Sequence, residues 1–279
     1  MNPISWLRGR GLRERVRTLR ARLARTDPVI VFQMGKVGSS SLYASLRALR
    51  PPREVFQVHL LHDLDRQEAR VHAGYTRPTG TLPQFAKARA LADRIARDDR
   101  RWTVISVVRD PVERNVSAFF QVIGEFVPDA LERAARGEVT VAELLEVFLG
   151  RYEQSAPITW FQAQMAPVFG IDVLAVPFDR ERGWQTYESD RARLLVLRLE
   201  DLPRVAEPAV RAFLDAPDFT LVTANVGDDK SYAALYRQFR AEVVLPADHL
   251  DRMYDSDYAR CFYSADEIAA ARARWERRT

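Results

Sequence analysis

An α/β fold, built on an open and mostly parallel sheet flanked by helices, is the architecture this chain predicts. Three observations point to it. Short β-branched apolar runs recur at 28–34, 54–61 and 102–108, and stretches of helical period separate them. Two of these runs end in turns rich in glycine and serine, or bearing arginine, that open directly into a helix. A strand–helix–strand–helix–strand order calls for parallel strands joined by right-handed crossovers.

The chain opens on a basic stretch. Residues 1–26 carry eight arginines and one glutamate, a net +7 within a chain of net +4, so the remainder sums to −3. Leu12, Val16, Leu19 and Leu23 recur at helical spacing among Arg13, Arg15, Arg17, Arg20 and Arg22, which predicts a basic amphipathic N-terminal helix. Two roles fit it: a solvated helix docked on the body, or peripheral contact with an anionic membrane surface or partner. Asp27-Pro28 ends this segment, which divides the chain into a basic segment, 1–26, and an α/β domain, 27–279. PVIVFQM (28–34) reads as a buried strand, and a helix with Leu42, Leu46 and Leu49 runs to the Pro51-Pro52 stop. EVFQVHLL (54–61) reads as a second strand, 63–81 as a polar loop, 83–97 as a helix and WTVISVV (102–108) as a third strand. Helices are expected near 129–136, 140–152 and 157–169, strands at 172–176 and 194–199, and a mostly helical C-terminal portion from about Ser231.

Composition narrows the function classes. A chain of 279 residues, 47% hydrophobic, buries a sizeable core. The body is not basic enough for a nucleic-acid binder, so no nucleic-acid partner is expected. Cys261 is the only cysteine, which rules out an internal disulfide or a cysteine metal site and suits a reducing compartment. No apolar run approaches the roughly 20 residues that span a bilayer, and the N-terminus lacks the apolar core of a secretory signal. A cytoplasmic protein is expected, with membrane association only through the basic N-terminus.

The turn after the first strand, QMGKVGSSS, carries the strongest chemical signal. Glycines let the backbone approach a ligand closely, and the first amides of a helix point outward with partial positive charge. Gly35, Val37 and Gly38 with Ser39, Ser40 and Ser41 supply amides and hydroxyls, while Lys36 supplies a full charge. Together they make a P-loop-like phosphate cradle. A serine N-cap would explain one serine, but not a lysine between two glycines followed by three serines. In a nucleoside-triphosphate loop the lysine follows the second glycine; here Lys36 precedes Gly38. That order argues against a kinase or NTPase.

The third strand ends in RDPVERNVS, where Arg109 offers a planar fork for phosphate and Ser117 a hydroxyl from the following helix. Both motifs fall at C-terminal ends of predicted parallel strands, where open α/β sheets bind ligands. The order Lys-x-Gly-Ser-Ser-Ser resembles the 5′-phosphosulfate loop of sulfotransferases, often written PKSGTT. RDPVERNVSAFF resembles their 3′-phosphate motif, R-D-P-x-x-R-x-x-S-x-[YF]. LLVLRLEDL (194–202) is similar to a late strand of many members, and YDSDYARCFYSADEI to bacterial proteins labelled as capsular polysaccharide synthesis enzymes.

The resemblance spans about 28–275. It implies the sulfotransferase fold and 3′-phosphoadenosine 5′-phosphosulfate (PAPS) as co-substrate, with no metal required. In it Lys36 meets the phosphosulfate bridge, residues 35–41 hold the 5′-phosphate, and Arg109 with Ser117 bind the 3′-phosphate, Arg114 assisting or packing. Lys230, after a glycine-bearing loop, either contacts the 3′-phosphate or is a surface lysine at a helix start. The acceptor implied is a hydroxyl, in particular of a carbohydrate. His59 and His62, at the end of the second strand, are the candidate general bases, with His59 favoured. Glu113 and Asp63 stand as carboxylate alternatives, His72 and His249 lie elsewhere, and Asp63 and Asp65 beside the histidines lack a recognised metal-ligand spacing. Trp160, Phe161 and Tyr75 are candidates either to stack on a sugar or to pack. The competing readings are a nucleotide-dependent kinase and a non-catalytic polyanion-binding protein acting through the arginine segment.

Overall fold

Burial decides where the strands form. In the computed structural model, β1 (Val29–Phe32) and β3 (Trp102–Val108) are buried at every position, as expected of strands covered on both faces. The described residues are 15, 16, 18, 19, 26–74, 82–222 and 231–276, so Tyr75, Lys230 and most of the basic segment lie outside them. β2 (Val55–Val58), β4 (Trp184–Glu188) and β5 (Ala192–Arg198) complete a five-stranded sheet of order β2-β1-β3-β5-β4. Every pairing is parallel except β4 with β5. Register sets Val31 against Gln57 and Ile105, so β1 lies between the two strands whose ends carry the other candidate residues.

Helices flank this sheet. α1 (Ser39–Ala48) crosses from β1 to β2, α2 (Leu64–Gly74) and α3 (Pro83–Arg97) cross from β2 to β3, and α4 (Pro111–Gln121) leaves β3. Then come α5 (Ile123–Phe126), α6 (Ala130–Ala135), α7 (Val141–Gly150), α8 (Ala156–Trp160), a π turn at Phe161–Met165 and α9 (Ala166–Phe169). Beyond β5 the chain forms α10 (Leu202–Leu214), α11 (Ala233–Glu242), α12 (Ala247–Tyr254), α13 (Asp257–Phe262) and α14 (Ala265–Glu276). Two apolar clusters result, one around the sheet and one among α4, α7, α11 and α12, with Ile158 and Ile268 packed against both.

Two expectations are corrected, and one strand is added. The stretch read as a loop from 63 contains α2, whose apolar content is low. Its docking to α3 runs through charge, with Arg89 2.6 Å from Asp65 and 2.7 Å from Glu68. The strand expected at 172–176 is a 3₁₀ turn at Val173–Ala175, because the Asp172 carboxylate accepts the Leu174 amide at 3.1 Å and bends the chain. The antiparallel partner of β5 is instead β4, a half-exposed edge strand in which only Tyr187 is buried. Among the described residues no helix is long and apolar enough to cross a membrane.

Candidate functional site

The sheet order brings the C-terminal ends of β2, β1 and β3 side by side, and with them three groups of predicted residues. At the end of β1 the chain turns through Gly35–Gly38 into α1. Lys36 (φ 73°) and Gly38 (φ 80°) are left-handed while Val37 between them is not. This alternation turns successive amides toward one concavity, the geometry of an anion nest. Val37 is fully buried and anchors the turn in the core. Gly38 caps α1 and supplies no side-chain acceptor, so nothing in the cap residue covers the amides of the helix's first turn. Only glycine serves there. A Cβ on Gly38 would stand 2.5 Å from Leu199 Cδ1, at a φ that side chains resist.

Arg109, just past β3, and Arg114, in the first turns of α4, fasten the turn. Arg109 donates to the Lys36 carbonyl at 3.0 Å, and Arg114 Nε to the Gly35 carbonyl at 3.1 Å. A trans peptide sets its carbonyl and the next amide on opposite sides. Holding these two carbonyls therefore points the Lys36 and Val37 amides away from the arginines. Arg114 continues to Asn115 Oδ1 and the Tyr152 hydroxyl, and Tyr258 brackets the Arg109 backbone, accepting from its amide at 3.1 Å and donating to its carbonyl at 2.9 Å. Asp110 caps α4 through the Glu113 amide and takes the Tyr254 hydroxyl; burial lifts its pKa to about 6. Glu113 meets Arg109 at 3.3 Å and Arg240 at 2.5 Å, so this alternative base is committed to cations. Ser117 is half-buried one turn beyond Glu113, on the same face of α4.

The end of β2 supplies the third group. Gln57 donates to Ser39 Oγ at 2.8 Å. His59 stands one residue past β2, its Nδ1 2.7 Å from the Gln33 carbonyl. A carbonyl only accepts, so Nδ1 carries the proton and the neutral ring keeps its lone pair on Nε2. A Cβ on Gly35 would lie 4.0 Å from that Nε2. Burial among protein atoms lowers the His59 pKa, the Gln33 bond opposes this, and the Arg114 charge lowers it further. Yet the residue stays open to solvent, the combination expected of a side chain lining a cleft.

The other histidines separate from it. His62 is exposed, His72 lies on α2 with Nε2 3.9 Å from Glu68, and His249 is buried against Phe148 with neither ring nitrogen hydrogen-bonded. Asp63 is exposed beside Arg66 at 3.9 Å. Trp160 and Phe161 are both buried, so they pack rather than present a face to a sugar, and Trp160 donates to the His59 carbonyl at 2.9 Å. Lys36 Nζ lies 3.4 Å from the Tyr232 hydroxyl.

Residues 138–264 match the family model described as "Putative capsular polysaccharide synthesis protein". No curated protein matches the chain. The matched span covers less than half of the chain. It contains neither the Gly35–Ser41 turn nor Arg109 and Ser117, but it holds the side chains that support them. Tyr152 meets Arg114, Trp160 and Gln164 meet the 59–62 segment, Tyr232 meets Lys36, and Tyr258 brackets Arg109. Sequence reasoning missed Gln57, Tyr152, Gln164, Tyr232 and Tyr258, because each acts on a motif distant in the chain and carries no local signature.

Proposed function

We propose that the chain is a sulfotransferase that moves a sulfuryl group from PAPS to a hydroxyl of a saccharide. The observation that carries this reading is the juxtaposition, on adjacent strand ends, of an arginine-fastened amide nest, a lysine and a histidine whose Nε2 lies close to Gly35. The nest and the first turn of α1, with Ser39, Ser40 and Ser41, suit the 5′-phosphate. Arg109 and Ser117 suit the 3′-phosphate. Lys230 and the basic segment 1–26, as a membrane or partner contact, stay within the proposal.

When bound, the nucleotide supplies a sulfuryl group on a phosphate leaving group. Lys36 offers its charge to the oxygen that gains negative charge as the sulfur–oxygen bond breaks. His59 Nε2 accepts the proton of the attacking hydroxyl, and its lowered pKa keeps that nitrogen free at neutral pH. The new sulfur–oxygen bond lies on the acceptor, and 3′-phosphoadenosine 5′-phosphate (PAP) leaves. The match of residues 138–264 to polysaccharide synthesis supports a saccharide acceptor. Transfer of labelled sulfate from PAPS to a panel of glycans tests the reading. Incorporation that disappears in Lys36→Ala is the expected result. No incorporation into any acceptor, together with stabilisation by magnesium–ATP but not by PAP, refutes it in favour of a kinase.

A further inference from the structure

Beyond Val58 the chain leaves the sheet, and the backbone of residues 59–62 needs other partners. Two side chains of one helix provide them. Trp160 Nε1 donates to the His59 carbonyl at 2.9 Å. Gln164 Oε1 accepts the Leu61 amide at 2.9 Å and the His62 amide at 3.0 Å, while its Nε2 donates to the His62 carbonyl at 3.2 Å. Gln164 is 1% exposed, so both lone pairs and one of its two N–H groups are committed inside the protein. The helix is irregular at this place. The Ala166 amide reaches the Phe161 carbonyl, five residues back, so the turn holds one residue more than an α-helical turn. An added residue rotates the remainder of the helix by about 100° relative to a regular one. Gln164 lies four residues after Trp160, so the two side chains share one face of the helix and reach the 59–62 segment together.

We propose that Gln164, paired with Trp160 on one face of its helix, is the positioning residue of this site. It fixes the path of residues 59–62 and thereby holds the His59 ring against Gln33 with Nε2 toward the Gly35–Ser41 turn. The ring makes its own bond to Gln33 on one side, and its backbone is gripped from the other. Without the bracket, two amides lose their acceptor and the segment must move to find water. His59 as proton acceptor rests on the function proposed above; the bracket as a determinant of ring geometry does not.

Long-range proton–nitrogen correlation spectra of the full chain, with its histidines labelled with ¹⁵N, test the two claims separately. In the native protein His59 should appear as the Nδ1–H tautomer and titrate below an ordinary histidine. In Gln164→Ala the tautomer preference should weaken and the titration return toward pH 6.5. Sulfate transfer should fall about 10²-fold in kcat, with the affinity for PAP unchanged. Gln164→Glu, which keeps the acceptor and loses the donor, should fall between. Should Gln164→Ala not fold, Trp160→Phe removes one bond of the same bracket and should move His59 in the same direction. An unchanged His59 tautomer and titration in a folded variant overturns the proposal, even if transfer proceeds. Absence of transfer in the native protein would instead count against the sulfotransferase reading and leave the spectra to judge the bracket.

Discussion

Lys36 sits in a conformation that costs a non-glycine residue free energy, at φ 73°. Its carbonyl is fixed by Arg109 and its ammonium lies beside Tyr232, so the surrounding groups hold what the backbone alone would not adopt. Removing the charge by Lys36→Ala should lower sulfate transfer about 10²- to 10³-fold while PAP affinity falls by much less; equal losses in both would make Lys36 a binding residue only. His59 gives a second expectation at this scale. In the proposed reaction its neutral form is the active one, and burial places its pKa below 6.5. The rate should therefore hold through neutrality and fall as pH drops through that lowered value. His59→Gln should remove this acid limb from the pH–rate profile, and a limb that persists would assign the proton to another group.

Among the elements, α1 shows most directly how local backbone makes a site. Its cap is Gly38, left-handed and pressed on Leu199. Gly38→Ala should destabilise the protein by about 1–3 kcal/mol, read from urea unfolding, and should weaken PAP binding because the nest is displaced. A variant with native stability and affinity would show that the turn tolerates another shape. The sequence made some elements legible and hid others for physical reasons. PVIVFQM and WTVISVV read as strands because both faces of β1 and β3 are buried and apolar, mostly β-branched residues dominate them. The Gly35–Ser41 turn and Arg109 were visible because the proposed anion binding calls for glycine, a helix start and charge close together in the chain. α2 was hidden because ion pairs to Arg89, not an apolar stripe, dock it. β4 was hidden as a polar edge strand, and the apolar run at 172–176 misled because Asp172 captures a backbone amide. Gln164 was unreadable because its partners lie about a hundred residues away in the chain.

For the molecule as a whole, α4 joins the site to the second apolar cluster. Asp110 and Arg114 serve the site, while Val112, Val116, Phe119 and Phe120 pack with α7 and α11. That cluster also buries His249, with its pKa lowered to about 4, chiefly by desolvation. The unfolded chain takes up that proton first, near pH 6.5, so folding stability is lost as pH falls from there toward 4. The loss amounts to about 3 kcal/mol. Asp110 acts in the opposite sense. Its folded pKa of about 6 lies above that of the unfolded chain, so the burden of a buried carboxylate is relieved as pH falls below 6. His249→Leu should remove the first effect and expose the second. Its melting temperature relative to the native protein should rise between pH 7 and pH 5, and a constant difference would show that His249 does not titrate on unfolding in that range.

Whether the turn at 35–41 and Arg109 form one nucleotide site across adjacent strand ends is open to a direct test. Calorimetric titration of the native chain and of Arg109→Ala, each with PAP and with adenosine 5′-phosphate, provides it. The native protein should bind the 3′-phosphorylated nucleotide well above the plain one, and Arg109→Ala should lose that preference while keeping its fold. Equal binding of the two nucleotides by the native protein, or binding of neither, would contradict a shared site.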